Sequence, residues 1–313
     1  MKQLILIFLL ILIRLTGFGQ YATEIVVDKE GNGDFLSIQA ALNATKAFPE
    51  KHITIFIKKG IYREKVMIYS WNNNLTLKGE HKDSTIIRWG DHFKKMNLGR
   101  NSTFHTYTLK VQANDVSIQN LTIENEAGAV GQAIALHLEG DRIQVENCTI
   151  NGNQDTLYVA GEGSRQYFQN CNISGTTDFI FGEATAVFSS CNIISKSNSY
   201  ITAASTPKTQ PYGLTFIDCK LTKINEGVTK VYLGRPWRSY AKTVFINCEL
   251  GEHIVPSGWD NWGSREKEMT AFYGEYGSTG RGAGKKRVQW SHQLTKLQAS
   301  DYTMSKIFND WTP

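Results

Sequence analysis

Five cysteines occupy one register of a recurring segment, and that register constrains the chain more than any other feature. Cys148 lies in VENCTI, Cys171 in FQNCNI, Cys191 in FSSCNI, Cys219 in FIDCKL and Cys248 in FINCEL, with Leu121 taking the cysteine place in an earlier copy, IQNLTI. Each copy has an apolar residue three before this position, Ile or Leu two after it, and Asn, Asp or Ser just before it. The intervals from Leu121 onward are 27, 23, 20, 28 and 29 residues. Self-similarity at such a period is the mark of a solenoid. The pieces are short β-branched runs broken by Asn and Gly without a sustained helical period, so each unit is built of strands. Alternation slips by one at the Asn/Asp position, where a residue tolerant of the left-handed region allows a sharp bend. The predicted fold is therefore all-β: a single-stranded right-handed parallel β-helix, with the cysteines stacked inside as small hydrophobes. A β-sandwich with scattered cysteines is the rival reading. The odd number of cysteines means at least one thiol stays unpaired within the chain; most are expected buried and reduced, although the expected export permits disulfides between coils.

Ahead of the repeat, the segment from Gly33 to Leu42 reads as a short helix with Asp34 or Ser37 as its cap, placed to cover the open N-terminal end of the stack. The stretch from about Trp290 is a second, weaker helix candidate. Lys2 followed by an unbroken ten-residue apolar run, Leu4 to Ile13, and small residues Gly17 and Gly19 resembles an export signal. That run is too short to cross a bilayer, which takes about 20 apolar residues. The expected organisation is a signal peptide over residues 1–19 and one domain over residues 20–313, the mature protein being secreted to the periplasm or the exterior, free of the membrane, and monomeric. Without Lys2 and Arg14 the chain has 32 basic against 29 acidic residues, a formal charge of +3. This is too mild and unclustered for nucleic-acid binding, and compatible with an acidic polysaccharide.

The second and third cysteine copies align beyond the cysteine. Glycine falls four after each Cys, aspartate seven after and an aromatic ten after, giving Gly152, Asp155 and Tyr158 above Gly175, Asp178 and Phe181. Equivalent positions on successive parallel coils lie about 4.8 Å apart. The spacing thus sets Asp155 beside Asp178 and Tyr158 beside Phe181. Two carboxylates so close cannot both ionise cheaply; the plainer alternative is a pair of turn aspartates facing solvent. Gln154 precedes the first Asp. Gln132 falls on the same wall one coil earlier if the preceding turn carries four extra residues, and side-chain amides can donate to a developing oxyanion. Arg235, in Leu233-Gly-Arg-Pro-Trp237, offers a guanidinium to hold one Asp ionised while the other stays protonated, as a nucleophile and a general acid require.

Gly60-Ile-Tyr-Arg-Glu64, Gly131-Gln-Ala-Ile-Ala-Leu136, Gln154-Asp-Thr-Leu-Tyr158, Gly175-Thr-Thr-Asp-Phe-Ile-Phe-Gly182 and Leu233-Gly-Arg-Pro-Trp237 resemble, in order and spacing, the five signature segments of the pectin methylesterases. The likeness runs over nearly the whole mature chain and is of the bacterial type, expected without an inhibitor-like pro-region. It implies hydrolysis of pectin methyl esters without metal or cofactor. It further implies Asp178 as nucleophile, Asp155 as general acid and then base, Gln132 and Gln154 as the oxyanion hole, and Arg235 as the group that orients Asp178. Tyr158, Phe181, Trp237 and Trp259 would line the sugar-binding cleft. A polygalacturonase would need a further carboxylate and a catalytic His, and a pectate lyase a calcium site of several Asp residues on adjacent coils. A non-catalytic carbohydrate-binding β-helix would leave the Gln and Arg partners without purpose.

Overall fold

The computed structural model describes residues 21–284 and 286–313. The expected signal peptide lies outside the described residues. Among the latter, the strands form three parallel sheets: sheet A of eleven strands, sheet B of eight and sheet C of seven. From Ile53 to Leu250 the chain visits them in the order A, B, C and begins again, so each full turn lays one strand on each sheet; the ends add further strands to sheet A alone. The result is a right-handed parallel β-helix. No helix among the described residues is long and apolar enough to cross a membrane.

The A-to-B bend is where the repeat's polar residue stands. Asn120, Asn147, Asn170, Ser190, Asp218 and Asn247 all have φ between 50° and 55°. Each immediately precedes the Leu or Cys of its copy, so the slip in alternation is the left-handed residue itself. Asn147 Nδ2 donates to Asn120 Oδ1 at 2.7 Å, joining successive bends. All five cysteines are buried free thiols.

Register carries the sequence repeat into the core. On sheet A, Leu77, Ile118, Val145, Phe168, Phe188, Phe216 and Phe245 follow one another from coil to coil. The four phenylalanine rings stack with centroids 4.4–4.6 Å apart. On sheet B the matching column is Ile87, Ile123, Ile150, Ile173, Ile193, Leu221 and Leu250. Both columns are buried. The sheet A column continues from Phe245 to Glu275, whose carboxylate takes two hydrogen bonds from Arg287, at 2.7 and 3.0 Å, inside the last coils. A buried charge is tolerable there because the fork satisfies both oxygens.

At the N-terminal end the helix Ile38–Ala44 covers the stack, with Ile38, Ala41 and Leu42 buried; its N-cap is Ser37, whose Oγ accepts from the Ala40 amide at 3.2 Å. The C-terminal stretch gives two short helices, Lys296–Ala299 and Met304–Phe308. Ile307 and Phe308 pack on Tyr167 and Val187 on the outside of sheet A. Two further helical segments interrupt the B-to-C connection before Leu109, Phe93–Met96 and the 3₁₀ segment Gly99–His105. Neither carries an apolar period that would announce it.

Two stability outcomes follow. Phe216→Ala, in the middle of the ring stack, should lower unfolding free energy by about 3–5 kcal/mol, read from urea denaturation. At exposed Ser190 (φ 53°), Ser190→Val should cost about 1–2 kcal/mol because a β-branched side chain clashes in the left-handed region. Ser190→Asn should be neutral or stabilising; equal midpoints for the two variants would refute the account of the bend.

Candidate active site

The site is built on the B-to-C turns and the outward face of sheet C. Asp155 lies between strands Thr149–Asn151 and Leu157–Val159, and Asp178 between Asn172–Gly175 and Ile180–Gly182. Both are left-handed, with φ of 63° and 48°. The Asp155 amide donates to Thr177 O at 3.1 Å and the Asp178 amide to Tyr200 O at 2.8 Å, which fixes the two turns in register. The preceding glycines are sterically required. A Cβ on Gly175 would meet Phe179 Cβ at 2.2 Å and Asn153 O at 2.7 Å, and one on Gly152 would meet Thr156 Oγ1 at 2.7 Å.

Asp155, Asp178, Gln132, Gln154, Phe181, Arg235 and Trp237 come together around one cavity of about 270 Å³. Gln132 pairs with Gln154 as a parallel bridge, and the Ala133 amide donates to Gln154 O at 3.0 Å. Gln132 is thus level with Gln154 rather than with Asp155, so the turn ahead of it is one residue longer than the expected four extra.

Arg235 donates from Nε to Asp178 Oδ1 at 3.0 Å and from Nη2 to Asp178 Oδ2 at 2.7 Å. Its guanidinium carbon sits 3.9 Å from the Tyr200 ring centroid and 3.7 Å from that of Trp262. The guanidinium is therefore sandwiched between two aromatic faces while its edge holds the carboxylate, an arrangement lysine could not reproduce. Burial pushes the Asp178 carboxyl upward and Arg235 pulls against that push. Asp155 is pushed well above the usual carboxylate range, by burial first and by the neighbouring Asp178 second, with only the more distant pull of Arg235 against it. Both carboxyls are raised, Asp155 the further, so Asp178 is the more readily ionised of the two.

The outward column of sheet C is Met67, Lys110, His137, Tyr158, Phe181 and Ala203. Tyr158 and Phe181 stack at 4.5 Å with their planes 8° apart. Phe181 lines the cavity, whereas Tyr158 is buried behind it, against Phe104 and His137. Trp237 closes one side, edge-on to Phe181 at 5.8 Å.

Trp259 does not line the cleft. It is 1% exposed and packs on Phe245 and Tyr273 in the core. Sheet C shows why. Its inward column runs Leu109, Leu136, Leu157, Ile180, Thr202, Gly234, and Trp259 is bridged to Gly234 as the next member. Gly234 supplies no side chain, so the indole fills the space; a Cβ there would already meet Thr202 Oγ1 at 1.9 Å. The aromatic that reaches the cavity from this loop is Trp262, three residues on, with φ of 57°. Sequence reasoning also missed Arg100, Thr103 and Phe104, which line the cavity from the 3₁₀ segment, and Tyr200 under Arg235. Tyr200 could have been found: it heads the next sheet C strand, on the coil after Asp178.

The Pectinesterase family profile matches residues 24–310. Pectinesterase QRT1 of Arabidopsis thaliana is 34% identical over 293 residues, 89% of this chain and 75% of the relative. Among solved structures, pectin methylesterase from carrot superposes with a TM-score of 0.84 at 30% identity, covering 90% of this chain and 92% of that one. Pectin methylesterase PemA from Erwinia chrysanthemi gives 0.81 at 32% identity, over 94% and 98%. A pectin methylesterase solved with a hexasaccharide gives 0.79 at 33%, over 92% and 98%. This chain belongs to the pectinesterase family.

Proposed function

We propose that the protein is a secreted pectin methylesterase that cleaves the methyl ester of galacturonate units through an acyl-enzyme on Asp178. The observation that carries this reading is the unequal pair: Asp178 gripped by Arg235 beside an Asp155 with no hydrogen-bonded cation, both facing one cavity with two glutamine amides. Family membership and the likeness to a pectin methylesterase solved with a hexasaccharide support the substrate.

The ionised Asp178 oxygen attacks the ester carbonyl carbon, and negative charge passes to the carbonyl oxygen. Gln132 and Gln154 donate amide hydrogens to that oxyanion. Collapse breaks the bond to the methoxy oxygen as Asp155 gives it a proton, releasing methanol and leaving an anhydride between Asp178 and the galacturonate. Asp155, now a carboxylate, takes a proton from water. The resulting hydroxide attacks the galacturonyl carbon and expels Asp178 as carboxylate. Asp155 ends protonated, Asp178 ionised, and the product is a free uronic acid. Phe181, Trp237 and Trp262 offer apolar faces for sugar rings and the methyl group.

Incubation with highly methylated pectin should release methanol and acid together. New reducing ends or an absorbing double bond would instead indicate a hydrolase or lyase. Asp178→Asn should lower turnover at least about a thousandfold while pectin binding remains measurable; normal turnover would remove the assigned nucleophile. Arg235→Gln takes away the pull that opposes burial, so the Asp178 carboxyl rises further. A higher pH is then needed to ionise it, and the acid limb of kcat/KM should move toward higher pH. A limb that stays in place would show that Arg235 does not set the charge of Asp178.

A further inference from the structure

The Asp155 carboxyl accepts no hydrogen bond among the described residues, whereas Asp178 is held by Arg235. The aim of Asp155 is therefore set by its backbone turn. That turn begins at Gly152, three residues ahead, and the turn of Asp178 begins at Gly175 in the same way. Both glycine carbonyls are taken by one residue. The Lys196 amide donates to Gly175 O at 2.8 Å, and Lys196 Nζ donates to Gly152 O at 2.7 Å.

Lys196 directly follows the sheet B strand Asn192–Ser195. On that sheet Asn151 pairs with Ser174 and Ser174 with Ile194, so Lys196 stands two coils beyond Asn151. Its backbone thus holds the turn one coil back, and its side chain crosses that coil to hold the turn two coils back. Nζ also donates to Asn151 Oδ1 at 2.6 Å, which accepts from Ser174 Oγ at 2.8 Å as well. Asn151 is anchored in turn: its Nδ2 donates to Glu124 Oε1 at 2.8 Å, and Glu124 Oε2 accepts from Arg88 Nε at 2.6 Å. The neighbouring lysines of sheet B, Lys220 and Lys223, pair with the carboxylates of Glu249, Glu226 and Glu252. Lys196 is half-buried and spends its hydrogens on neutral oxygens instead. Withdrawing an ammonium from water is unfavourable unless its hydrogens are bonded, so these two short bonds hold it in one place.

Resting on the esterase reading above, we propose that Lys196 is a positioning residue for the catalytic pair: through the Gly152 and Gly175 carbonyls it fixes where Asp155 stands relative to Asp178, and so its distance from the departing methoxy oxygen. Proton transfer needs heavy atoms within about 2.6–3.2 Å, and a misplacement of about 1 Å can cost about a hundredfold in rate. Lys196 does not line the cavity, and it is not among the charges that act on either carboxyl. Its influence therefore falls on kcat, with substrate binding and the ionisation of Asp178 left alone.

The test measures kcat, KM and the pH profile on highly methylated pectin for the natural protein, Lys196→Met, Lys196→Arg and, as a control lysine of the same sheet, Lys223→Met. Lys196→Met keeps the length of the side chain and removes its donors. It should lower kcat about ten- to a hundredfold with KM within about twofold and the acid limb in place, in protein shown to be folded by circular dichroism. Lys196→Arg, which can donate to both oxygens, should recover most of kcat, and Lys223→Met should leave it unchanged. The proposal is overturned by an undiminished kcat in Lys196→Met, by a loss confined to KM, or by an equal loss in Lys223→Met. It is overturned too by a shifted acid limb, which would make the effect one of charge, by an arginine variant as slow as the methionine one, or by a Lys196→Met chain that does not fold. Absence of methanol with the natural protein overturns the esterase reading instead.

Discussion

Parallel pairing between successive coils, at a spacing of about 4.8 Å, sets the position of the carboxylate pair at the centre of the site. It forces like residues to stack on like. In the interior this is favourable: Phe168, Phe188, Phe216 and Phe245 form one column of rings, and the isoleucines of sheet B another. On the outer face the same rule brings Asp155 against Asp178, which is unfavourable unless one carboxyl gives up its charge. The backbone lattice that stabilises the fold thus also creates the electrostatic tension of the site.

That tension is resolved asymmetrically. Arg235 reaches Asp178 alone, and its approach is dictated by packing: Gly234 leaves room for Trp259 inside, while Tyr200 and Trp262 clamp the guanidinium outside. Asp155, equally buried, has no hydrogen bond from a cation. Two chemically identical residues in equivalent turns therefore sit in unequal electrostatic surroundings, the difference the proposed nucleophile and acid need.

The cavity walls come from departures from the repeat. One is the segment from Phe93 to Thr106, inserted between sheets B and C; the other is the loop that carries Trp262. The coils supply Phe181 as the floor, with Tyr158 stacked against it, and the insertions decide what fits above.

The cysteine register, the left-handed bends, the helix capped by Ser37 and the neighbouring of Asp155 and Asp178 were legible in the sequence, because a solenoid turns distance along the chain into distance in space with a fixed conversion. The same rule was enough to align Tyr158 with Phe181 and to bring Gln132 to the wall of Gln154, within one residue of the expected turn. It failed for Trp259 and Trp262. Which of two tryptophans three residues apart faces the core depends on the strand parity set by the Gly234 bridge, and no local pattern in that loop encodes it. Arg100 and Phe104 were likewise decided by tertiary structure, since irregular turns have no period from which a side chain's direction can be read. Sequence alone determined the stack and the carboxylate pair; only the folded chain decided which charges and rings close around them, because loop packing follows the whole surface beneath it.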